Sequence, residues 1–334
     1  MENLEGLKKL LNTPQDVVIL THRNPDGDAV GSSLGLSLFL QKNGHNVKIV
    51  APSDYPDFLS WMPQANDIVI YDHDPEEVER IVKRATLIFC LDFNSLDRID
   101  KAGELVDEAR CPKVMIDHHL FPEPFADFML SETTASSTCE LVYDFIHLLG
   151  REEDLDKVIG ECLFTGILTD TGSFTYSNSP KLFRTVANLL EIGVDDLRLQ
   201  DLIFNSMNEK QLRILGHCLY NRLEIIPEFH TGIITLTKED YAFFDINRGD
   251  TEGVVNFLLK LRDVKLAAFI HEQPKIVKLS LRSKGDIDVQ DMAKVHFRGG
   301  GHKNAAGGAS FHNLSVTVRR FKEILPEYKE QLEA

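Results

Sequence analysis

Short apolar, β-branched runs recur along the first half of the chain, and segments with helical spacing separate them. Val17-Val18-Ile19-Leu20, leading into His22, reads as a strand over 17–22. A helix over 29–43 follows, slim at its start and ended by Asn43-Gly44. Val47–Val50 and Ile68–Tyr71 read as strands, 75–85 as a helix opened by Pro75, and 86–91 as a fully apolar strand. A helix near 99–110 and a strand at 113–117 complete a βαβ rhythm, which predicts a doubly wound, largely parallel sheet.

Past residue 135 the spacing turns helical. Ser137-Thr138-Cys139-Glu140 fits a capping box opening a helix to about Leu149, and 155–169 and 180–192 follow as helices. The polar stretch 196–221 reads as one or two helices. Strand character returns at 223–226, 232–236, 266–270 and 276–281, with helices near 251–261, 288–296 and 314–332. The expected organisation is an α/β domain over 1–190, a helical linker over 191–222 and a smaller α/β domain over 223–334. Met1–Gln15 reads as a short amphipathic helix with none of the marks of a signal peptide.

Composition narrows the partners. The 334 residues carry a formal net charge of −16, which disfavours a long nucleic-acid duplex as partner. Between Phe257 and Lys303, however, ten Lys/Arg face five Asp/Glu, a local basic excess suited to a short anionic ligand. No apolar stretch reaches the roughly 18–20 residues that a membrane helix needs. Five scattered cysteines without a C-x-x-C pair read as buried reduced thiols, and the expected location is cytoplasmic.

The chemistry collects where the strands end. His22, Asp26 and Asp28 follow the first strand, Asp92 follows the run 87–91, and Asp117-His118-His119 close the strand at 113–117. Asp170 ends an apolar helix, where a carboxylate opposes the helix dipole. A helix cap accounts for Asp28 alone and a turn aspartate for Asp92 alone. In an open α/β sheet, though, the carboxyl ends of strands converge on one crevice. Four or five carboxylates and two or three imidazoles gathered there call for cations, in all expectation two. Oxygen and imidazole donors without cysteine suit manganese, with magnesium or cobalt as substitutes. Two such ions about 3.5–4 Å apart, bridged by a carboxylate and a hydroxide, serve in-line phosphoryl displacement. A second cluster, Arg298-Gly299-Gly300-Gly301-His302-Lys303, reads as a glycine-rich loop that lets backbone amides approach an anion, with Arg262 and Arg282 in the same basic stretch.

The ordered set H-x-x-x-D-x-D, Asp, D-H-H, Asp and G-G-G-H resembles the DHH phosphoesterases. Within them it is most similar to the stand-alone nanoRNases that also dephosphorylate 3′-phosphoadenosine 5′-phosphate. The resemblance covers nearly the whole chain. It implies one ion on His22, Asp26 and Asp92, and a second on Asp28, Asp92, His118 and Asp170, with Asp92 bridging. It implies His119 at the scissile phosphate, Asp117 orienting the histidine pair, and Gly299, Gly300, Gly301 and His302 lining a nucleotide pocket across an inter-domain cleft. Arg262, Arg282 and Arg98 extend the substrate contacts. The implied activity is hydrolysis of short oligoribonucleotides, and of 3′-phosphoadenosine 5′-phosphate to AMP. The alternatives are a pApA-specific phosphodiesterase and a pyrophosphatase or exopolyphosphatase; a non-catalytic nucleotide sensor would need a broken metal set, and none is broken. A homodimer is compatible with the resemblance.

Overall fold

The structure, a computed structural model, describes residues 3–205, 207–247 and 249–333, and the side chain of His302 lies outside that description. The chain divides into two units, Met1–Ser206 and Met207–Ala334. In the first, six strands form one sheet: β1 (Asp16–Thr21), β2 (Asn46–Ala51), β3 (Val69–Ile70), β4 (Leu87–Leu91), β5 (Lys113–Asp117) and β6 (Phe128–Ser131). Their order is β3-β2-β1-β4-β5-β6, and every neighbouring pair is parallel.

Successive strand residues face opposite layers, which is why the runs are apolar throughout. Val17, Ile19, Leu87 and Phe89 pack with the helices Gly27–Lys42, Thr138–Leu149 and Lys157–Asp170. Val18, Leu20, Ile88 and Cys90 pack with Val78 and Val82 of helix Pro75–Arg84 and Ala102 and Val106 of helix Lys101–Glu108. The sheet is therefore doubly wound, as the alternation predicts. The chain runs outward from β1 to β2 and β3, then returns to β4 on the other flank of β1. That reversal places the topological switch point between β1 and β4.

Some details differ from the sequence reading. β3 has two residues, not four, and β6 is a strand the pattern did not announce. It is a four-residue edge strand with Met129, Leu130 and Ser131 only half-buried, too short for a periodic signal. The expected capping box forms only in part. Ser137 Oγ accepts from Glu140 N at 3.1 Å, but the Glu140 carboxylate turns to Ser136, accepting from its N and Oγ at 2.8 Å each.

The second unit holds β7 (Leu223–Ile226), β8 (Thr231–Leu236), β9 (Leu266–Glu272), β10 (Val277–Ser283), β11 (Gly300–His302) and β12 (Ala305–Ser310). The order is β11-β12-β10-β9-β8-β7; β8 and β9 pair in parallel and the other neighbours antiparallel. The stretch 191–222 is divided between the units. Leu199 and Ile203 of helix Asp196–Phe204 join the first core, and Ile214, Leu215 and Cys218 of helix Glu209–Asn221 join the second. Helix Lys238–Phe244 was not anticipated. The C-terminal helix breaks at Pro326 into Leu314–Ile324, a 3-10 turn and Lys329–Glu333, because proline lacks the N–H that would continue it. Among the described residues, no helix is long and apolar enough to cross a membrane.

Candidate metal centre

The carboxyl ends of β1, β4 and β5 sit side by side, so the residues just past them share one edge. His22 follows β1. Pro25 and Gly27 turn the chain, and Asp26 caps helix Gly27–Lys42, its Oδ1 accepting from Asp28 N at 3.0 Å and Ala29 N at 3.1 Å. Asp28 lies in the first turn of that helix, fully buried. The opposing helix Lys157–Asp170 comes close enough that a Cβ on Gly166 would lie 2.6 Å from Asp28 Oδ1. Only glycine leaves room for the carboxylate there. Asp170 ends that helix and completes the ring.

Asp92, just past β4, is buried with φ 64°, a left-handed conformation that aspartate tolerates better than most residues. Its oxygens face different ways. Oδ2 lies 3.2 Å from His22 Nε2, while Oδ1 lies 3.6 Å from His118 Nε2 and 3.7 Å from His119 Nδ1. His118 Nε2 also lies 3.3 Å from Asp170 Oδ2 and 3.9 Å from Asp28 Oδ2. Three overlapping donor groups result: His22, Asp26 and Asp92; Asp28, His118 and Asp170; and Asp92, His118 and His119. Asp117, at the end of β5, holds His119 twice, its Oδ2 accepting from His119 N at 3.0 Å and its Oδ1 bonded to Nδ1 at 2.7 Å. His118 Nδ1 faces the Ala135 carbonyl at 3.4 Å, so Asp117 orients one imidazole of the pair and the chain before Ser136 orients the other.

The charges explain what the centre needs. Burial pushes Asp28 well above the usual carboxylate range, and the charges of Asp92 and Asp170 add to it. Burial raises Asp170 to about 6 despite its hydrogen bond to His118. Burial would also raise Asp92, but the hydrogen bond and charge of His22, with the charges of His119 and His118, hold it far below. Burial opposes protonation of His22 and His118, yet their carboxylate partners raise both. Protons thus do here, one by one, the neutralising that divalent cations do in pairs. The donor set, all oxygen and imidazole and shared between groups, fits two such ions.

Of the other candidates, Arg98 lies in the 3-10 turn Leu96–Ile99; its carbonyl accepts from Arg23 N at 2.9 Å, and its charge is felt at His22. In the second unit Gly300, Gly301 and His302 of the glycine cluster form strand β11, paired with β12, while Arg298, Gly299 and Lys303 flank it; this corrects the reading of the cluster as a loop. A Cβ on Gly299 would run into the Gly307 carbonyl, and one on Gly301, at φ 141°, would lie 2.5 Å from the Ala305 carbonyl. Small residues therefore let the two backbones close into β11 and β12 where larger ones would hold them apart. Arg282 of β10 pairs with Ala305, which in turn pairs with His302, so the arginine shares a row of the sheet with the glycine strand. The His302 side chain itself lies outside the described residues. Arg262 is on the exposed turn before β9, whose Leu266 pairs with Ser283 beside Arg282. Sequence reading missed Thr138, which reaches both Asp28 and Asp92; its sequence context fits a helix cap and carries no signal of either contact.

The DHH family N-terminal domain matches residues 16–167 and the DHHA1 domain matches residues 235–334. A bifunctional oligoribonuclease and PAP phosphatase NrnA of Thermus thermophilus is 31% identical over 95% of this chain and 90% of that protein. The chain belongs to the DHH family of phosphoesterases. Among other DHH relatives, the cyclic-di-AMP phosphodiesterase GdpP of Bacillus subtilis is 25% identical over 97% of this chain but only 50% of its own length. The crystal structure of an exopolyphosphatase-related protein from Bacteroides fragilis superposes with a TM-score of 0.95 at 38% identity, covering 99% of this chain and 97% of that one.

Proposed function

We propose that this DHH protein is a divalent-metal-dependent phosphoesterase that hydrolyses short oligoribonucleotides to mononucleotides and 3′-phosphoadenosine 5′-phosphate to AMP. The observation that carries the reading is the sharing of Asp92 and His118 among three donor groups at the switch point of a parallel sheet. The activity in the name of the Thermus thermophilus relative, alike over almost its whole length, supports the substrate class.

In this reading His22, Asp26 and Asp92 hold one ion, and Asp28, Asp92, His118 and Asp170 hold the other, with manganese preferred. Such ions supply Lewis acidity and charge neutralisation for phosphoryl displacement. His119, fixed through Nδ1 by Asp117, places its ring against the phosphoryl group and steadies charge at the leaving oxygen. Gly299, Gly300, Gly301 and His302 are proposed as nucleotide contacts of the second unit, where Arg282 and Arg262 add positive charge; Arg98 is proposed as a phosphate-binding residue of the first. The protein works in the cytoplasm on short single-stranded substrates. A second reading, a pyrophosphatase or exopolyphosphatase, is favoured by the 38% identity to the exopolyphosphatase-related structure.

The deciding experiment gives the purified protein and manganese three substrates side by side: a 5′-labelled ribodinucleotide, 3′-phosphoadenosine 5′-phosphate and pyrophosphate. Release of mononucleotides and AMP is the expected result. Turnover of pyrophosphate alone would transfer the protein to the second reading.

Arg282→Ala tests the role of the second unit. Loss of a charge-assisted phosphate contact costs about 1.5–3 kcal/mol, so KM for the dinucleotide should rise roughly 10- to 100-fold while kcat changes little. An unchanged KM would remove Arg282 from the substrate site.

A further inference from the structure

Asp92 can serve two donor groups only if its carboxylate is held in one rotation, with Oδ2 toward His22 and Oδ1 toward His118 and His119. One end of that hold is His22, at 3.2 Å from Oδ2. The other is Thr138, whose Oγ1 donates to Oδ1 at 3.0 Å. The same residue touches the second carboxylate. Thr138 N donates to Asp28 Oδ2 at 2.6 Å, and Cys139 N donates to Asp28 Oδ1 at 2.8 Å. Each carboxylate oxygen has two lone pairs, so an oxygen that accepts one hydrogen bond keeps a second direction for a ligand.

The hydroxyl of Thr138 is not needed to build its own helix. Ser137 provides the cap by accepting from Glu140 N. The turn before it is locked by the Ser136–Glu140 hydrogen bonds. Ser136, Ser137, Thr138 and Glu140 are all buried, so the whole helix start is fixed in place. With capping and anchoring assigned to its neighbours, the threonine hydroxyl is directed at Asp92.

We propose that Thr138 is a positioning residue for the metal centre: its hydroxyl sets the rotation of Asp92 and its amide sets that of Asp28, so that one residue registers a carboxylate of each ion position. The proposal rests on the two-ion reading above. Groups that orient metal ligands in this way are worth about 10- to 100-fold in metal affinity.

The test is a titration of the chelator-stripped full chain with manganese alone, free ion being read from its paramagnetic resonance signal. Thr138→Val keeps the shape and the amide but removes the hydroxyl donor, and its manganese affinity should fall about 10- to 100-fold at one position or more. Thr138→Ser, which keeps the hydroxyl, should bind within about threefold of the wild type. Equal affinities for wild type and T138V, or equal losses in T138S and T138V, would overturn the proposal. Should T138V not fold without metal, T138S against T138A makes the same comparison, and equal affinities there overturn it too. A wild type that binds no manganese would defeat the metal reading itself, and the role of Thr138 with it.

Discussion

Asp92→Ala should lower manganese-dependent hydrolysis of a ribodinucleotide by roughly 10³-fold or more, beyond the 10²–10³ that loss of one stabilising group typically costs. The reason is shared use. One carboxylate stands 3.2 Å from His22, 3.6 Å from His118 and 3.7 Å from His119, so its removal breaks two donor groups at once. Asp26, by contrast, enters a single group and is half-exposed at its side chain, and its loss should cost less. Asp92→Asn separates charge from shape: it keeps the volume beside Thr138 but halves the oxygen donors, and it should fall close to the alanine variant. The check is kcat/KM at saturating manganese together with the number of ions bound. A variant that kept a tenth of the activity would show that Asp92 does not serve both positions.

Metal should also reverse the pH dependence of stability. Asp170 rises to about 6 on folding, and Asp28 is raised well above the usual carboxylate range, both first through burial. A carboxyl group whose folded value lies above its unfolded one costs nothing while both states are protonated. The cost grows as the unfolded state ionises first, and it is complete above the folded value. For Asp170 this amounts to on the order of 3 kcal/mol, developed between about pH 4 and 6. His118 and His22, raised on folding, add stability below about pH 6.5 that disappears as pH climbs through their folded values. All four act in the same direction, so the metal-free protein should melt at lower temperature at pH 8 than at pH 5.5. Manganese requires the deprotonated ligands, so its binding strengthens over the same interval and should raise the melting temperature most at pH 8. Paired melting curves with chelator and with manganese, taken from pH 5 to 8, test this. Parallel curves would mean that the cluster does not exchange protons for metal.

How much of this was legible beforehand depended on the kind of signal. β1, β4 and β5 are buried on both faces and read as unbroken apolar runs, so their ends, and His22, Asp92 and Asp117 through His119 at them, could be located from the sequence. The parallel order then brings those ends together without further information. Asp170 was legible as a carboxylate set against its helix dipole, and Asp28 as part of the polar cluster that follows the first strand. Thr138 was not, because its sequence context fits a helix cap and its partners lie 46 and 110 residues away. Glu140 misled for the same reason: the spacing suits a capping box, but the buried Ser136 offers two donors where the cap offers one. β11 and β12 escaped because glycine has neither alternation nor β propensity; what makes them strands is the absence of side chains between two backbones.

β11 has one further consequence. It is the outermost strand of its sheet, and an open sheet margin is a place where a foreign chain can add itself. Three residues give such an intruder almost nothing to pair with. The brevity of β11 therefore limits strand addition at that margin and so protects against edge-to-edge association.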